Sequence, residues 1–213
     1  MLKAFIFDMD GVIIDSEPLH FETDKRVMKE YNIDISDEAL NRYVGVTNPQ
    51  MWTELKEIYG LPAALEELLE KQNTYKKLLF GSGTLEPVEG IVELIGSLKQ
   101  KDIFIGLASS SSRNFIELIL KNLKLLESFD VIVSGDEVSS SKPAPDIFLK
   151  AAGLLKVDPS QCVVLEDSGH GVKAAKAAGM KCIAFKNPNS GIQDLSLADA
   201  VIASIKNIDY INI

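Results

Sequence analysis

Short apolar runs alternating with amphipathic helical patterns constrain this chain more than any other feature. Residues 3–7, 103–108, 129–133, 162–165 and 181–185 each read as a short strand. Between them, Ile91, Leu94, Ile95 and Leu98 recur at helical spacing on one face, as do Ile147, Phe148, Ala151 and Leu155. Strands alternating with helices call for an α/β fold, with a parallel sheet covered on both sides.

One stretch breaks the alternation. From about residue 16 to residue 79 the pattern is helical throughout. Pro18 suits a first helical turn behind Asp15 and Ser16, Asn48-Pro49 opens another helix, and Leu61-Pro62 separates two more. The last of these carries Leu65, Leu68, Leu69, Tyr75 and Leu78. The expected organisation is a core made of residues 1–15 and 81–213, with a helical cap domain, residues 16–80, inserted after the first strand. Hinges are expected at residues 12–15 and 81–87, the second through Gly81-Ser82-Gly83, and closure of the cap on substrate is expected with them.

Composition narrows the function. The 213 residues suffice for one good core with a small insertion. The net charge of −9 and pI of about 4.8 argue against nucleic-acid binding, which needs a basic surface. A small anionic substrate remains compatible, because a pocket can be locally positive. No apolar stretch is long enough to span a bilayer, and the run at residues 4–7 is cut short by Asp8 and Asp10, unlike a signal peptide. Cys162 and Cys182 read as reduced core thiols, so a cytoplasmic setting is expected, with a monomer as the default and no membrane or nucleic-acid partner.

Ligands of parallel α/β sheets bind at the carboxyl ends of the strands. Here those ends carry Asp8-Met9-Asp10-Gly11, the run from Ser109 to Ser112, Ser141-Lys142-Pro143 and Glu166-Asp167-Ser168-Gly169. Clustered carboxylates repel one another unless a cation sits among them, and an all-oxygen set suits Mg²⁺. A phosphate then has the metal on one side and Lys142 with Ser109 on the other. Asp8 is placed to attack phosphorus. Asp10, two residues on and on the same side of an extended chain, can protonate the leaving oxygen and then activate the second acceptor.

The run from Phe7 to Val12, followed by Asp15-Ser16-Glu17-Pro18-Leu19-His20, resembles the first signature of the haloacid-dehalogenase superfamily. Leu107-Ala108-Ser109, the run from Ser141 to Asp146, and Leu165-Glu166-Asp167-Ser168 resemble the second, third and fourth, in the same order over nearly the whole chain. The helical insertion is similar to the cap of the subgroup holding β-phosphoglucomutase and small sugar-phosphate phosphatases. The resemblance implies a Rossmann-like core and an Asp8 phosphoenzyme. It implies Mg²⁺ held by the Asp8 carboxylate, the Asp10 backbone carbonyl and Asp167, with Glu166 beside them. It implies phosphate bound by Ser109, with Ser110 next to it, and by Lys142.

Dehalogenases of this superfamily need neither metal nor a second Asp. Asp10 and the Glu166-Asp167 pair therefore favour phosphoryl chemistry, while Lys76 and Lys77 offer little basis for a Schiff-base mechanism. Phosphatases and mutases differ in the second acceptor, water or a sugar hydroxyl. In the resemblance, Asn48 of the loop Gly45-Val46-Thr47-Asn48 stands where a mutase presents arginine, with Arg42 and Lys77 as other cations and His20 common to both groups. The expectation is a phosphatase of small sugar or polyol phosphates, with β-phosphoglucomutase as the alternative. His20, Thr47, Asn48, Trp52 and Lys77 are the candidate substrate contacts, Trp52 being equally suited to the cap core. A non-catalytic regulatory relative should have lost Asp8, Asp10 or an acidic ligand, and all are present. His170 is expected to be exposed.

Overall fold

The computed structural model describes residues 1–44, 46–81, 85–206 and 208–210. Two compact units emerge: one joins Met1–Asp15 to the chain from Leu85 onward, and the other is the intervening stretch that begins at Ser16.

The first unit is a six-stranded parallel sheet in the order β3-β2-β1-β4-β5-β6. Its strands are β1 (Ala4–Phe7), β2 (Phe104–Ser109), β3 (Val131–Ser134), β4 (Cys162–Glu166), β5 (Lys181–Phe185) and β6 (Ala200–Ile202). Every pairing is parallel, and Phe7 lies level with both Leu107 and Leu165. The sheet is apolar on both faces because helices cover both. Ala4 and Ile6 pack into a cluster with Ile147, Phe148, Ala151 and Val164. Phe5 and Phe7 alternate with them, and Phe5 meets the Tyr210 ring at 5.8 Å. The helices of this unit are α5 (Ile91–Gln100), α6 (Arg113–Asn122), α7 (Asp146–Leu155) and α8 (Gly169–Ala177). Ile91, Leu94, Ile95 and Leu98 are all buried on α5, as are Ile147, Phe148, Ala151 and Leu155 on α7.

The strand the sequence reading missed is β6. It has three residues, sits at the sheet edge and leaves Val201 54% exposed, so it lacks the apolar run that marks a central strand. The third strand begins at Val131, not residue 129. Asp130, just before it, accepts a hydrogen bond from the Ile105 amide at 2.7 Å. The thiols of Cys162 and Cys182 are buried and unpaired.

Residues 12–14, read as a hinge, are buried, and the amides of Val12, Ile13 and Ile14 all donate to the Met9 carbonyl. That segment is a hydrogen-bonded turn. Within the other expected hinge, Ser82, Gly83 and Thr84 lie outside the described residues, as does Gly45 of the loop before Asn48.

The second unit contains α1 (Glu17–Glu30), α2 (Asp37–Leu40), α3 (Asn48–Tyr59) and α4 (Leu65–Phe80). Pro18 falls in the first turn of α1 and Pro49 in that of α3, where a missing N–H removes no helical bond. Val27, Met28, Leu40, Trp52, Leu55 and Leu68 form its core. Leu78, expected on the apolar face of α4, is 60% exposed.

This core also encloses an acid. Asp24 on α1 is 4% exposed, and its Oδ1 accepts from the Gln72 amide of α4 at 2.7 Å. Burial pushes the carboxyl up to about 7; the Gln72 bond and the Lys76 charge pull the other way and do not compensate. With the folded value raised above the unfolded one, the group's favourable contribution is complete below pH 4 and is lost as pH rises through 7. Asp24→Asn should therefore raise the melting temperature by several degrees at pH 8 and much less at pH 5, as followed by circular dichroism. An equal change at both pH values would show that Asp24 is not buried as an acid.

Candidate active site

The strand order places the crossover point between β1 and β4, where neighbouring chains leave in opposite directions and a crevice opens at the carboxyl ends. Asp8 leaves β1 there, its amide donating to the Leu165 carbonyl at 3.0 Å. Glu166 closes β4 beside it. Lys142 joins the two: its Nζ lies 2.5 Å from Asp8 Oδ1, 2.7 Å from Glu166 Oε1 and 3.3 Å from the Ala108 carbonyl.

Oxygens of Asp8, Glu166 and Asp167 all lie within 4.8 Å of one another, and all three residues are buried. Such crowding has electrostatic consequences. Burial, with Glu166 and Asp10 adding to it against the opposing pull of Lys142, pushes Asp8 up to about 7. Burial and the charges of Glu166 and Asp8 likewise hold Asp167 well above the carboxylate range. Burial alone would discharge Lys142, but Asp8 and Glu166 outweigh it and keep the ammonium protonated.

The four acids differ in how much of their bonding is already committed. Glu166 Oε2 accepts from the amides of Asp167 and Ser168 at 2.8 and 2.7 Å and from the Ser168 hydroxyl at 3.0 Å. With Oε1 on Lys142, this carboxylate holds the β4–α8 turn and the lysine. Asp167 Oδ2 accepts from the Ser190 hydroxyl. Asp10 Oδ2 accepts from the Ser111 hydroxyl at 3.0 Å, and its Oδ1 is buried with no partner among the described residues. The oxygens left over belong to Asp8, Asp10 and Asp167. An orphaned oxygen and carboxylates pushed toward protonation mark a place where a hard cation would offset the crowded negative charge. The all-oxygen set fits a metal ion.

Ser109 is 1% exposed, and its hydroxyl accepts from the Ser111 amide at 3.1 Å. Ser110 is exposed, and it is Ser111, one residue on, that reaches Asp10. The sequence reading also passed over the segment after β5. Asn187 donates to the Gly11 carbonyl at 2.9 Å, Ser190 to Asp167, and Gln193 Oε1 accepts from the Gly169 amide at 3.0 Å. This loop ties the first and fourth motifs together. Its polar composition is that of any surface turn, so the sequence carries no mark of the role. His170 is exposed on α8.

In the helical unit a cavity of about 220 Å³ is lined by Glu17, His20, Asp24, Tyr43, Asn48, Met51, Gln72 and Lys76, among others. It brings two of the expected substrate contacts together, His20 and Asn48. Trp52 is fully buried in the helical core instead. Thr47 is exposed at the start of α3, and Lys77 is exposed, one residue past the lysine that lines the cavity.

Residues 5–185 match the haloacid dehalogenase-like hydrolase family. The chain belongs to that family. It is 37% identical over 182 residues to a phosphorylated carbohydrates phosphatase of Thermotoga maritima, covering 85% of this chain and 84% of that one. It is 36% identical over 185 residues to a β-phosphoglucomutase of Bacillus subtilis, covering 84% and 81%. Among solved structures, CbbY of Rhodobacter sphaeroides in complex with phosphate superposes with a TM-score of 0.81 at 26% identity, covering 98% and 97%. The haloacid dehalogenase fold, the acid cluster and the buried lysine make this chain a phosphoryl-transfer enzyme.

Two helical glycines test the packing of the site. A Cβ on Gly171 of α8 would fall 1.6 Å from Glu166 Oε1, whereas one on Gly153 of α7 would meet nothing within 4 Å. Gly171→Ala should displace the Glu166 carboxylate, cost about 1–3 kcal/mol through its broken hydrogen bonds, and lower activity with it. Gly153→Ala should stabilise by about 0.5–1 kcal/mol. Denaturant titration of the two variants would check the opposite signs, and a neutral Gly171→Ala would contradict the close approach.

Proposed function

We propose that this enzyme hydrolyses phosphate monoesters of small sugars or polyols through an Asp8 phosphoenzyme. The observation that carries the reading is Lys142, buried between Asp8 and Glu166 with Asp10 close by. The lysine fixes one Asp8 oxygen and leaves the other to attack phosphorus. As that P–O bond forms, the ester P–O bond breaks, and Asp10 gives its proton to the departing alkoxide. Asp10 then takes a proton from water, whose oxygen attacks the phosphorus of the aspartyl phosphate. Inorganic phosphate leaves and the Asp8 carboxylate is restored. Lys142 and the serine turn after β2, Ser109 and Ser110 in the reading above, neutralise and orient the phosphate oxygens. Mg²⁺, held by Asp8, Asp167 and the Asp10 carbonyl, would supply positive charge to the transferring group. Glu166 serves this arrangement by holding Lys142 and the turn that presents Asp167.

Support for a hydroxylated small molecule comes from the Thermotoga relative, named for phosphorylated carbohydrates, and from the polar lining of the helical unit's cavity. One observation favours the mutase as second reading. Asn48 is neutral, but Lys76 lines the same cavity, so a cation for a second phosphate is within the set. The Bacillus relative is named for that activity.

Chelation should abolish phosphate release from sugar phosphates and Mg²⁺ restore it, with Ca²⁺ a poor substitute. Full activity in chelator would end the metal reading. Asp8→Asn should remove turnover and the hydroxylamine-sensitive phosphoenzyme. Asp10→Asn should slow turnover by roughly 10²–10⁴-fold. A coupled assay with β-glucose 1-phosphate and a glucose bisphosphate primer separates the two readings. Phosphate release should outrun glucose 6-phosphate formation, and the reverse would put the mutase first.

A further inference from the structure

The segment after β5 takes no part in the chemistry above, yet its polar side chains are turned on the carboxylate cluster and not on solvent. Parallel pairing sets Ala184 of β5 level with Glu166 of β4, so the chain that follows Phe185 emerges beside Glu166 and Asp167. Asn187 and Ser190 are each only 6% exposed. Asn187 Oδ1 accepts from the Asn189 amide at 2.8 Å, which closes a turn, while its Nδ2 crosses β4 to donate to the Gly11 carbonyl at 2.9 Å. Gln193 likewise works at both ends: Nε2 donates to the Ser190 carbonyl at 2.8 Å and Oε1 accepts from the Gly169 amide at 3.0 Å.

The loop of residues 187–193 is thus braced from within, and it presents one hydroxyl to the site. Ser190 donates to Asp167 Oδ2. A Cβ on Gly11 would fall 1.9 Å from that oxygen and 3.1 Å from Ser190 Oγ, so the bond lies directly over the glycine. The loop therefore grips the turn that carries Asp10 and the acid that follows β4 at the same time. An ordinary surface turn needs none of this, since water satisfies its polar groups. What the grip does supply is rigidity. Mg²⁺ demands short bonds in near-ideal octahedral geometry, whereas Ca²⁺ accepts longer bonds and irregular ligand sets, so choice between them turns on how firmly the donors are held. An Asp167 carboxylate freed from Ser190 could swing about its side-chain torsions, which Ca²⁺ would tolerate and Mg²⁺ would not.

We propose that Ser190 and Asn187 are positioning residues that give the carboxylate cluster its preference for Mg²⁺ over Ca²⁺, by holding Asp167 and the Asp10-Gly11 turn in fixed relation. The role rests on the metal reading of the proposed function and adds to it what sets the choice of ion. Neither residue touches the ion; each acts through a ligand or the turn that bears one.

The test is calorimetric titration of the full chain with magnesium chloride and, separately, calcium chloride. Ser190→Ala and Asn187→Ala should each raise the Mg²⁺ dissociation constant by roughly 10–100-fold. The Ca²⁺ constant should move by less than about threefold, so the ratio between the ions collapses. Ser196→Ala, in the same segment but exposed and bonded only to Asp194, should leave both constants at their wild-type values. Equal weakening of the two ions in both variants would report a general loosening of the fold and overturn the proposal. So would a Mg²⁺ constant that neither variant changes. The chelation assay decides the metal reading separately. Full activity in chelator ends that reading, whereas a metal-dependent enzyme whose two variants keep the wild-type ratio overturns the role of Ser190 and Asn187 alone.

Discussion

The site depends on one buried ammonium group. Lys142 comes from the loop before α7, Asp8 from the end of β1 and Glu166 from the end of β4, so a single side chain ties three distant parts of the chain together. Buried ion pairs contribute little net stability, because desolvating the charges offsets most of their attraction. Removing one partner is another matter, since it strands a charge in a medium that cannot solvate it. Without Lys142, Asp8 and Glu166 would face each other uncompensated, and one would take up a proton. The lysine thus draws the nucleophile toward its charged form against the burial that raises it. That makes it a catalytic constraint first and a structural one second.

The space around that ion pair is kept by residues with no chemistry of their own. Gly11 sits at φ 78°, and a Cβ there would come within 1.9 Å of Asp167 Oδ2, so the turn after Asp10 must be glycine to let the fourth motif approach. Gly171 does the same for Glu166 in the first turn of α8. Ser190 and Asn187 then hold Asp167 and the Gly11 carbonyl in place from a third direction. Groups that orient a cation's ligands without touching it commonly govern its affinity, which is why this loop belongs to the site although it makes no contact with phosphate in the mechanism above.

Sequence patterns exposed these layers unequally. Five strands were legible, the four inner ones because burial on both faces demands continuous apolar runs, as in Val163, Val164 and Leu165, and the edge strand β3 through Val131 to Val133. Strand β6 makes no such demand, being three residues long at an edge. Asp8, Lys142, Glu166 and Asp167 were legible as a set because each ends a strand or opens the loop beyond one, and parallel strands deliver their ends to one side. The bond from Ser111 to Asp10 was not, since it depends on how a turn rotates its side chains. Leu78 and Trp52 show the same limit in the helical unit: spacing says that a residue lies on an apolar stripe, but only packing says where the stripe stops or whether an indole points to a cavity or a core.

The two units handle buried acid in different ways. In the core, a lysine and an array of backbone amides meet the carboxylates, and the remaining oxygens are arranged for a cation. In the helical unit, the Gln72 amide and the charge of Lys76 meet Asp24, and Glu17 lines the same cavity. A buried carboxylate met so weakly is a costly tie between helices. The core's acids are thus met by Lys142 and backbone amides, while Asp24, outside the phosphoryl-transfer motifs, makes the helical unit's stability depend on pH as its carboxyl titrates near 7.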